Sequence, residues 1–210
     1  AGYFVNRDTS RPREQTRYGV PSTRSRYGWE TAQARFDVGV KAASAAGDFR
    51  NEANGQGWIV EINPYDPYSV PKKRTALGRF AHEGAVFAPA RTGQPYVVYS
   101  GDDAQNEYIY KFVSRAVHAP GYFYRDALEF GTLHVGKFNS DGTGEWLPLD
   151  FDDPGFRAKS AAANVVFADQ GDVLINARLA ADVAGATRMD RPEWGAVDPL
   201  TGEVYMTLTN

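Results

Sequence analysis

A single supersecondary unit occurs twice in this chain and restricts its fold more than any other feature. Glu83-Gly84-Ala85-Val86, leading to Thr92-Gly93 and Tyr96-Val97-Val98-Tyr99, aligns with Glu193-Trp194-Gly195-Ala196-Val197, leading to Thr201-Gly202 and Val204-Tyr205-Met206, about 110 residues later. Both copies read as a strand, a glycine turn and a returning strand, because β-branched and aromatic residues flank a turn that tolerates positive φ. Residues 107–113, Glu-Tyr-Ile-Tyr-Lys-Phe-Val, alternate with period two and supply another strand. Residues 131–138 and 145–149 form a further pair around the turn at 139–144, and residues 58–62 are a strand closed by Asn63-Pro64-Tyr65-Asp66-Pro67. A helical period appears in one stretch, about 172–183, where Val173, Leu174, Ala177, Ala180 and Ala181 fall near one face and Asp172 can cap the start. The expectation is an all-β chain of antiparallel meanders with one short helix, the pattern of a β-propeller.

In a propeller the first strand of each blade lines a central channel, and a glutamate opening that strand points into it. Several blades doing so would gather carboxylates on one axis, which is how oxygen ligands hold a hard cation such as calcium. On the two repeats alone, the plainer reading that each glutamate rims a loop stands beside this one.

Composition narrows the function classes. Across 210 residues, 23 Lys plus Arg face 26 Asp plus Glu, a net charge of -3, so nothing global attracts nucleic acid or an anionic membrane. No stretch approaches the roughly 18 apolar residues of a membrane span. The start, Ala1-Gly2-Tyr3-Phe4-Val5-Asn6-Arg7, lacks the charged head and apolar core of an export signal. With no cysteine, disulfides, thiolate zinc sites and thiol nucleophiles are excluded within these residues. His82, His118 and His134 show no metal-ligand spacing, so a metal here would take oxygen ligands. Because the first residue is not Met and the last follows a strand directly, the sequence reads as a piece of a longer chain or a processed product.

Two regions are expected. Residues 1–56 carry Arg7, Arg11, Arg13, Arg17, Arg24, Arg26, Arg35 and Arg50 among Ser, Thr, Gly and Pro, and read as an irregular segment with a solvated basic face. Tyr18, Tyr27, Trp29 and Phe36 suffice to tack it onto a core. Residues 57–210 carry the strands.

Four segments carry a resemblance to a known family: residues 57–67 (Gly-Trp-Ile-Val-Glu-Ile-Asn-Pro-Tyr-Asp-Pro) running on to 73–85; Tyr99-Ser100-Gly101-Asp102-Asp103 with residues 107–114; residues 138–149; and residues 184–195, which include Arg191-Pro192-Glu193-Trp194. Together they closely resemble the PhoX-type bacterial alkaline phosphatases, well over residues 57–210 and loosely over the Arg-rich front. The resemblance implies a six-bladed propeller, only part of whose blades this chain holds. It also implies an enzyme that hydrolyses phosphate monoesters with a calcium and iron cluster in its channel, exported to the periplasm or beyond by the twin-arginine route. Members are much longer, and the segment with the family's iron-ligating cysteine is not among these residues, so the remainder of the propeller is an implied partner.

Carried over by position, Glu83 and Glu193 match family carboxylates that ligate calcium, and Arg191 matches the arginine that grips phosphate. The chemistry is coherent, since carboxylates suit hard cations and a guanidinium forks onto two phosphate oxygens. The competing readings are structural rim residues for the glutamates and an ion pair with Asp190 or another carboxylate for Arg191. Asp102, Asp103 and Glu107 form an acidic cluster that reads more simply as a solvated turn. Residues 139–144 lack the terminal bidentate glutamate of a calcium loop and read as a hairpin turn. His82 reads as packing beside a ligand, and Trp58, Trp146 and Trp194 as packing between sheets, with Trp194 also placed to wall the site. Two other functions remain open: a propeller-derived binding or scaffold module without a complete metal site, and a calcium-dependent lactonase or phosphotriesterase.

Overall fold

The computed structural model describes residues 2–121 and 125–210. The chain divides into two compact units, residues 1–56 and 57–210. The first contains one short helix, α1 (Arg13–Arg17), and a series of 3-10 turns. Its small core joins Phe4, Val20 and Val38, with Phe36 and Ala53 packed against them. Several of its arginines are bound within the unit: Arg7 to Glu30 and Asp37 at 3.3 Å each, Arg50 to Asp48 at 2.6 Å, and Arg35 to Glu52.

The second unit is mostly β. Strands β1 (Val60–Glu61) and β2 (Lys72–Lys73) pair as a short exposed ladder. Next come β3 (Val86–Phe87), β4 (Pro95–Gly101), β5 (Gln105–Glu107), β6 (Ile109–Val117), β7 (Gly131–Phe138) and β8 (Gly144–Pro148). Five of these form one antiparallel sheet in the order β3-β4-β6-β7-β8. Between β7 and β8 the turn is closed by Asp141, whose carboxylate accepts bonds from Thr143 N at 2.9 Å and Thr143 Oγ1 at 2.6 Å, so that carboxylate serves the turn.

Helices α2 (Pro154–Ala162), α3 (Gln170–Ile175) and α4 (Ala177–Ala184) follow, and then β9 (Met189–Asp190), β10 (Pro192–Val197) and β11 (Val204–Leu208). β10 and β11 pair antiparallel, as do β5 and β9. Each half of the sequence repeat is therefore a hairpin, β3–β4 and β10–β11.

The expectation of one short helix is corrected. In α2, Asp153 caps the start by accepting from Phe156 N at 2.6 Å, and Pro154 takes the first-turn position whose N–H needs no partner. The predicted helix at 172–183 is two helices. Asp169, rather than Asp172, caps α3 by accepting from Asp172 N at 2.8 Å. Asn176 leaves helical geometry (φ −109°, ψ 40°) between α3 and α4, and Gly185 ends α4 in the left-handed region at φ 85°.

These helices cover a face of the large sheet. Val98, Tyr110, Phe112, Leu133, Val135 and Leu147 from the strands share one core with Phe156, Val173, Ala177, Leu179, Ala180, Ala181 and Ala184 from the helices. Phe80 joins it by stacking on Tyr110 at 4.1 Å between ring centroids. Truncating a fully buried side chain of this set to alanine would cost about 2–5 kcal/mol.

Candidate active site

Three main-chain segments meet at the end of β4. The loop at 81–84 runs antiparallel to residues 101–103: Asp103 N donates to Ala81 O at 2.9 Å, Glu83 N donates to Gly101 O at 3.3 Å, and Ala81 N donates to Asp102 Oδ1 at 3.1 Å. From the other side the start of β10 approaches so closely that a Cβ on Gly101 would collide with the carbonyl oxygens of Pro192 and Glu193. Only glycine admits this contact. The two sequence-predicted glutamates thus flank one glycine, Glu83 through its backbone bond and Glu193 by main-chain contact.

Glu83 is exposed, and among the described residues no hydrogen bond or ion pair holds its carboxylate. Glu193 is half-buried; its Oε1 accepts from Thr209 Oγ1 at 2.6 Å and lies 3.2 Å from Arg191 Nη2. The β10–β11 register shifts between Pro192 and Gly195, so Glu193 and Trp194 occupy a bulge, a device that re-aims side chains. Trp194 is 60% exposed with its ring over Gly84, a rim position that matches the alternative that it walls the site and not the packing reading.

Arg191 is the most constrained residue of the group. It takes φ 41°, a left-handed conformation that few non-glycine residues adopt, and it precedes a proline, which ordinarily favours extended backbone. Its Nη2 donates to Asp103 Oδ2 at 3.1 Å and lies 2.9 Å from Asp103 Oδ1. One guanidinium nitrogen is therefore enclosed by Asp103 and Glu193. The carboxylates that pair with Arg191 are these two, whereas Asp190 binds Gln105.

The solvated-turn reading of the acidic cluster is corrected, because its members are held by cations far along the chain. Asp102 is fully buried and accepts from Arg178 Nε at 2.8 Å and Nη2 at 2.6 Å. Glu107, also buried, lies 3.5 Å from Arg178 Nε. Arg178 projects from α4, and so does Asp182, which accepts from the Tyr108 hydroxyl at 2.6 Å and lies 3.6 Å from Arg188. Burial, followed by the Asp182 carboxylate, pushes the Tyr108 phenol up. Sequence spacing gave no signal for these pairs, since their partners lie 74 and 76 residues apart.

His82 is a buttress. Its Nε2, 2.9 Å from Gly78 O, carries the proton and donates it, and its Nδ1 lies 2.8 Å from Ser100 Oγ. The Ser100 hydroxyl, 2.5 Å from Gly84 O, has one proton to share between that carbonyl and Nδ1, and the imidazole and serine lie between the two ends of the loop that carries Glu83. Burial holds the imidazole down to about 4, hence neutral at ordinary pH.

The donor set has the chemistry of a hard-cation site in part. Carboxylate oxygens suit such ions, yet calcium takes six to eight oxygens, and among the described residues no group of three His, Cys, Asp or Glu is arranged to hold a metal. Glu83 and Glu193 would be two ligands of a larger set. Beside them, the Arg191 charge is balanced by Asp103 and Glu193, so an anion would bind here together with a cation held by the carboxylates.

The family model for alkaline phosphatase PhoX matches residues 2–210. A solved structure, described as Pseudomonas fluorescens PhoX in complex with vanadate, a transition state analogue, is 44% identical, superposes with a TM-score of 0.84, and is matched over 100% of this chain and 36% of its own length. A search of the curated proteins found no match. A sequence model that spans nearly every residue, together with a solved fold of high identity, places the chain in the alkaline phosphatase PhoX family.

Proposed function

We propose that these strands form part of the active site of a phosphomonoesterase, in which Arg191 binds the phosphoryl oxygens and Glu83 and Glu193 hold metal. The observation that carries this reading is Arg191 itself: a non-glycine residue at φ 41°, before a proline, with one guanidinium nitrogen enclosed by two carboxylates. Such backbone strain costs about 1–3 kcal/mol and persists where the surroundings over-determine it, commonly at ligand clamps. The vanadate bound by the solved relative mimics a phosphoryl group in transfer, which fits an arginine clamp at this position.

The chain's own contribution is positioning and charge. Asp103 and Glu193 hold Nη2, and the side chain stays 38% exposed, so a phosphate ester can reach the guanidinium from solvent. A guanidinium so held stabilises the charge that builds on the equatorial oxygens as the ester bond breaks and water supplies the new oxygen. A bound calcium and iron cluster would polarise the phosphoryl group and lower the pKa of water.

The finer assignments rest on the family. In this reading the five-stranded sheet and the β10–β11 hairpin belong to the blades of a six-bladed propeller, and the enzyme acts after twin-arginine export. Because the chain spans 36% of the solved relative's length, the activity is assigned to a whole protein that carries these strands. The test is hydrolysis of an aryl phosphate monoester at alkaline pH, with calcium and then with a chelator. Activity lost with the chelator and restored by calcium supports the reading, and preference for a lactone or a phosphotriester overturns it. Arg191→Ala should weaken inhibition by inorganic phosphate, and unchanged inhibition would remove the role given to Arg191.

A further inference from the structure

Arg191 reaches its unusual backbone because its neighbour is clipped on both sides. On one side, β9 pairs with β5 through Gln105 and Asp190, and the Gln105 Nε2 amide donates to Asp190 Oδ1. On the other, Thr209 N donates to Asp190 O at 3.2 Å and to Arg191 O at 3.4 Å. β5 itself is irregular: Asn106 sits at φ 63°, and the β5–β9 register shifts between Gln105 and Glu107. That bulge lets Gln105 face Asp190 while Glu107 remains buried beside Arg178. The short ladder, with one added side-chain bond between exposed residues, therefore links two non-glycine residues in the left-handed region, Asn106 and Arg191.

An exposed amide–carboxylate bond adds little to global stability, but in a two-residue strand such as β9 it acts together with the Thr209 backbone bonds to set the exit angle. We infer that Gln105 is a positioning residue for Arg191: its amide holds Asp190, and Asp190 fixes the turn that aims the guanidinium at phosphate. The inference rests on the phosphate-binding role proposed for Arg191 and adds a residue that never touches substrate.

The experiment is a double-mutant cycle on the metal-loaded, active protein, read by calorimetric titration with inorganic phosphate and by KM and kcat for an aryl phosphate. A hydrogen bond of ordinary net strength predicts that Gln105→Ala raises the phosphate Kd and KM by roughly three- to tenfold, with kcat changed less. Gln105→Met, which keeps the bulk and loses the donor, should behave alike, so a folding defect peculiar to alanine cannot mimic the effect. Asp190→Asn retains the acceptor oxygen and should stay within about twofold of the parent. In an Arg191→Ala background the Gln105 substitutions should be silent, because a residue acting only through Arg191 has nothing left to position.

If Arg191→Ala leaves phosphate affinity unchanged, the phosphate-binding reading fails, and this inference with it. If Arg191→Ala weakens binding while both Gln105 variants do not, only the positioning inference is overturned. A Gln105 effect that persists undiminished in the Arg191→Ala background also overturns it, since that would mark a general structural role.

Discussion

Replacing Arg178 by Met should be the most destabilising single change near the site. Arg178 has 11% of its side chain exposed and faces two carboxylates, Asp102 at 0% and Glu107 at 6%. It donates two hydrogen bonds to Asp102, so the substitution removes a bidentate pair and leaves acidic groups in a buried position. Breaking a buried pair by removing one partner costs about 3–5 kcal/mol. With a urea m-value of about 2 kcal/mol/M, the midpoint should fall by about 1.5–2.5 M. Asp102→Asn keeps an acceptor for Ala81 N but loses the charge and the second acceptor oxygen, the one that faces Arg178 Nε. The double variant Asp102→Asn/Arg178→Met should therefore lose about 2–3 kcal/mol less than the sum of the single changes. The assay is urea unfolding at pH 7.5 for the four proteins of the cycle. A midpoint shift under about 0.5 M for Arg178→Met, or strict additivity in the cycle, would refute the claim that this pair joins α4 to the site loop.

Three other outcomes are expected. Gly101→Ala should cost about 1–3 kcal/mol, because the methyl group meets backbone oxygens that cannot step aside, and it should also weaken phosphate binding; thermal melts and phosphate titration together check this. His82 is neutral in the fold and titrates at about 4 against 6.5 when unfolded, so the unfolded chain takes up its proton first as pH falls. The stability it supports is complete above pH 6.5 and declines by about 3 kcal/mol between pH 6.5 and 4. His82→Asn should flatten that stretch of the stability–pH curve, and an unchanged slope would count against the assignment. Asp153→Ala removes the α2 cap and should cost about 1 kcal/mol without altering phosphate affinity, measured by the same melts and titrations.

The hairpins were legible because period-two alternation and glycine turns are local signals: β3–β4, β7–β8 and β10–β11 all fall where the pattern places them. The helices were less so. α2 exposes most of its length and buries only Phe156 and Ser160, so it carries no apolar stripe to notice, although Asp153-Pro154 was a usable start signal. α3 and α4 merge in a periodicity count because the Asn176 break costs a single residue. At the candidate site, Arg191 and both glutamates were proposed from a long family motif, and the structure brings them to one strand end. It could not foresee that Arg191 would pair with Asp103, 88 residues away, or that Asp102 and Glu107 would be buried against Arg178. Long-range charge pairing depends on which surfaces the sheet and helices bring together, and no local pattern encodes it. The left-handed backbone at Arg191 runs against the local signal, since a residue before proline is ordinarily extended.

The contact at Gly101 bears on how such a site can change over evolutionary time. The spacing between the end of β4 and the Arg191–Glu193 segment is set at Gly101 by main-chain atoms in close contact, and the Glu83 loop is hydrogen-bonded to that same strand end. A spacer side chain would bring rotamers, and hence a distribution of distances that shifts with each neighbouring substitution. Backbone packed on backbone has one distance. Rim residues around it can then vary while the interval between the segments that carry Glu83 and Glu193 stays constant.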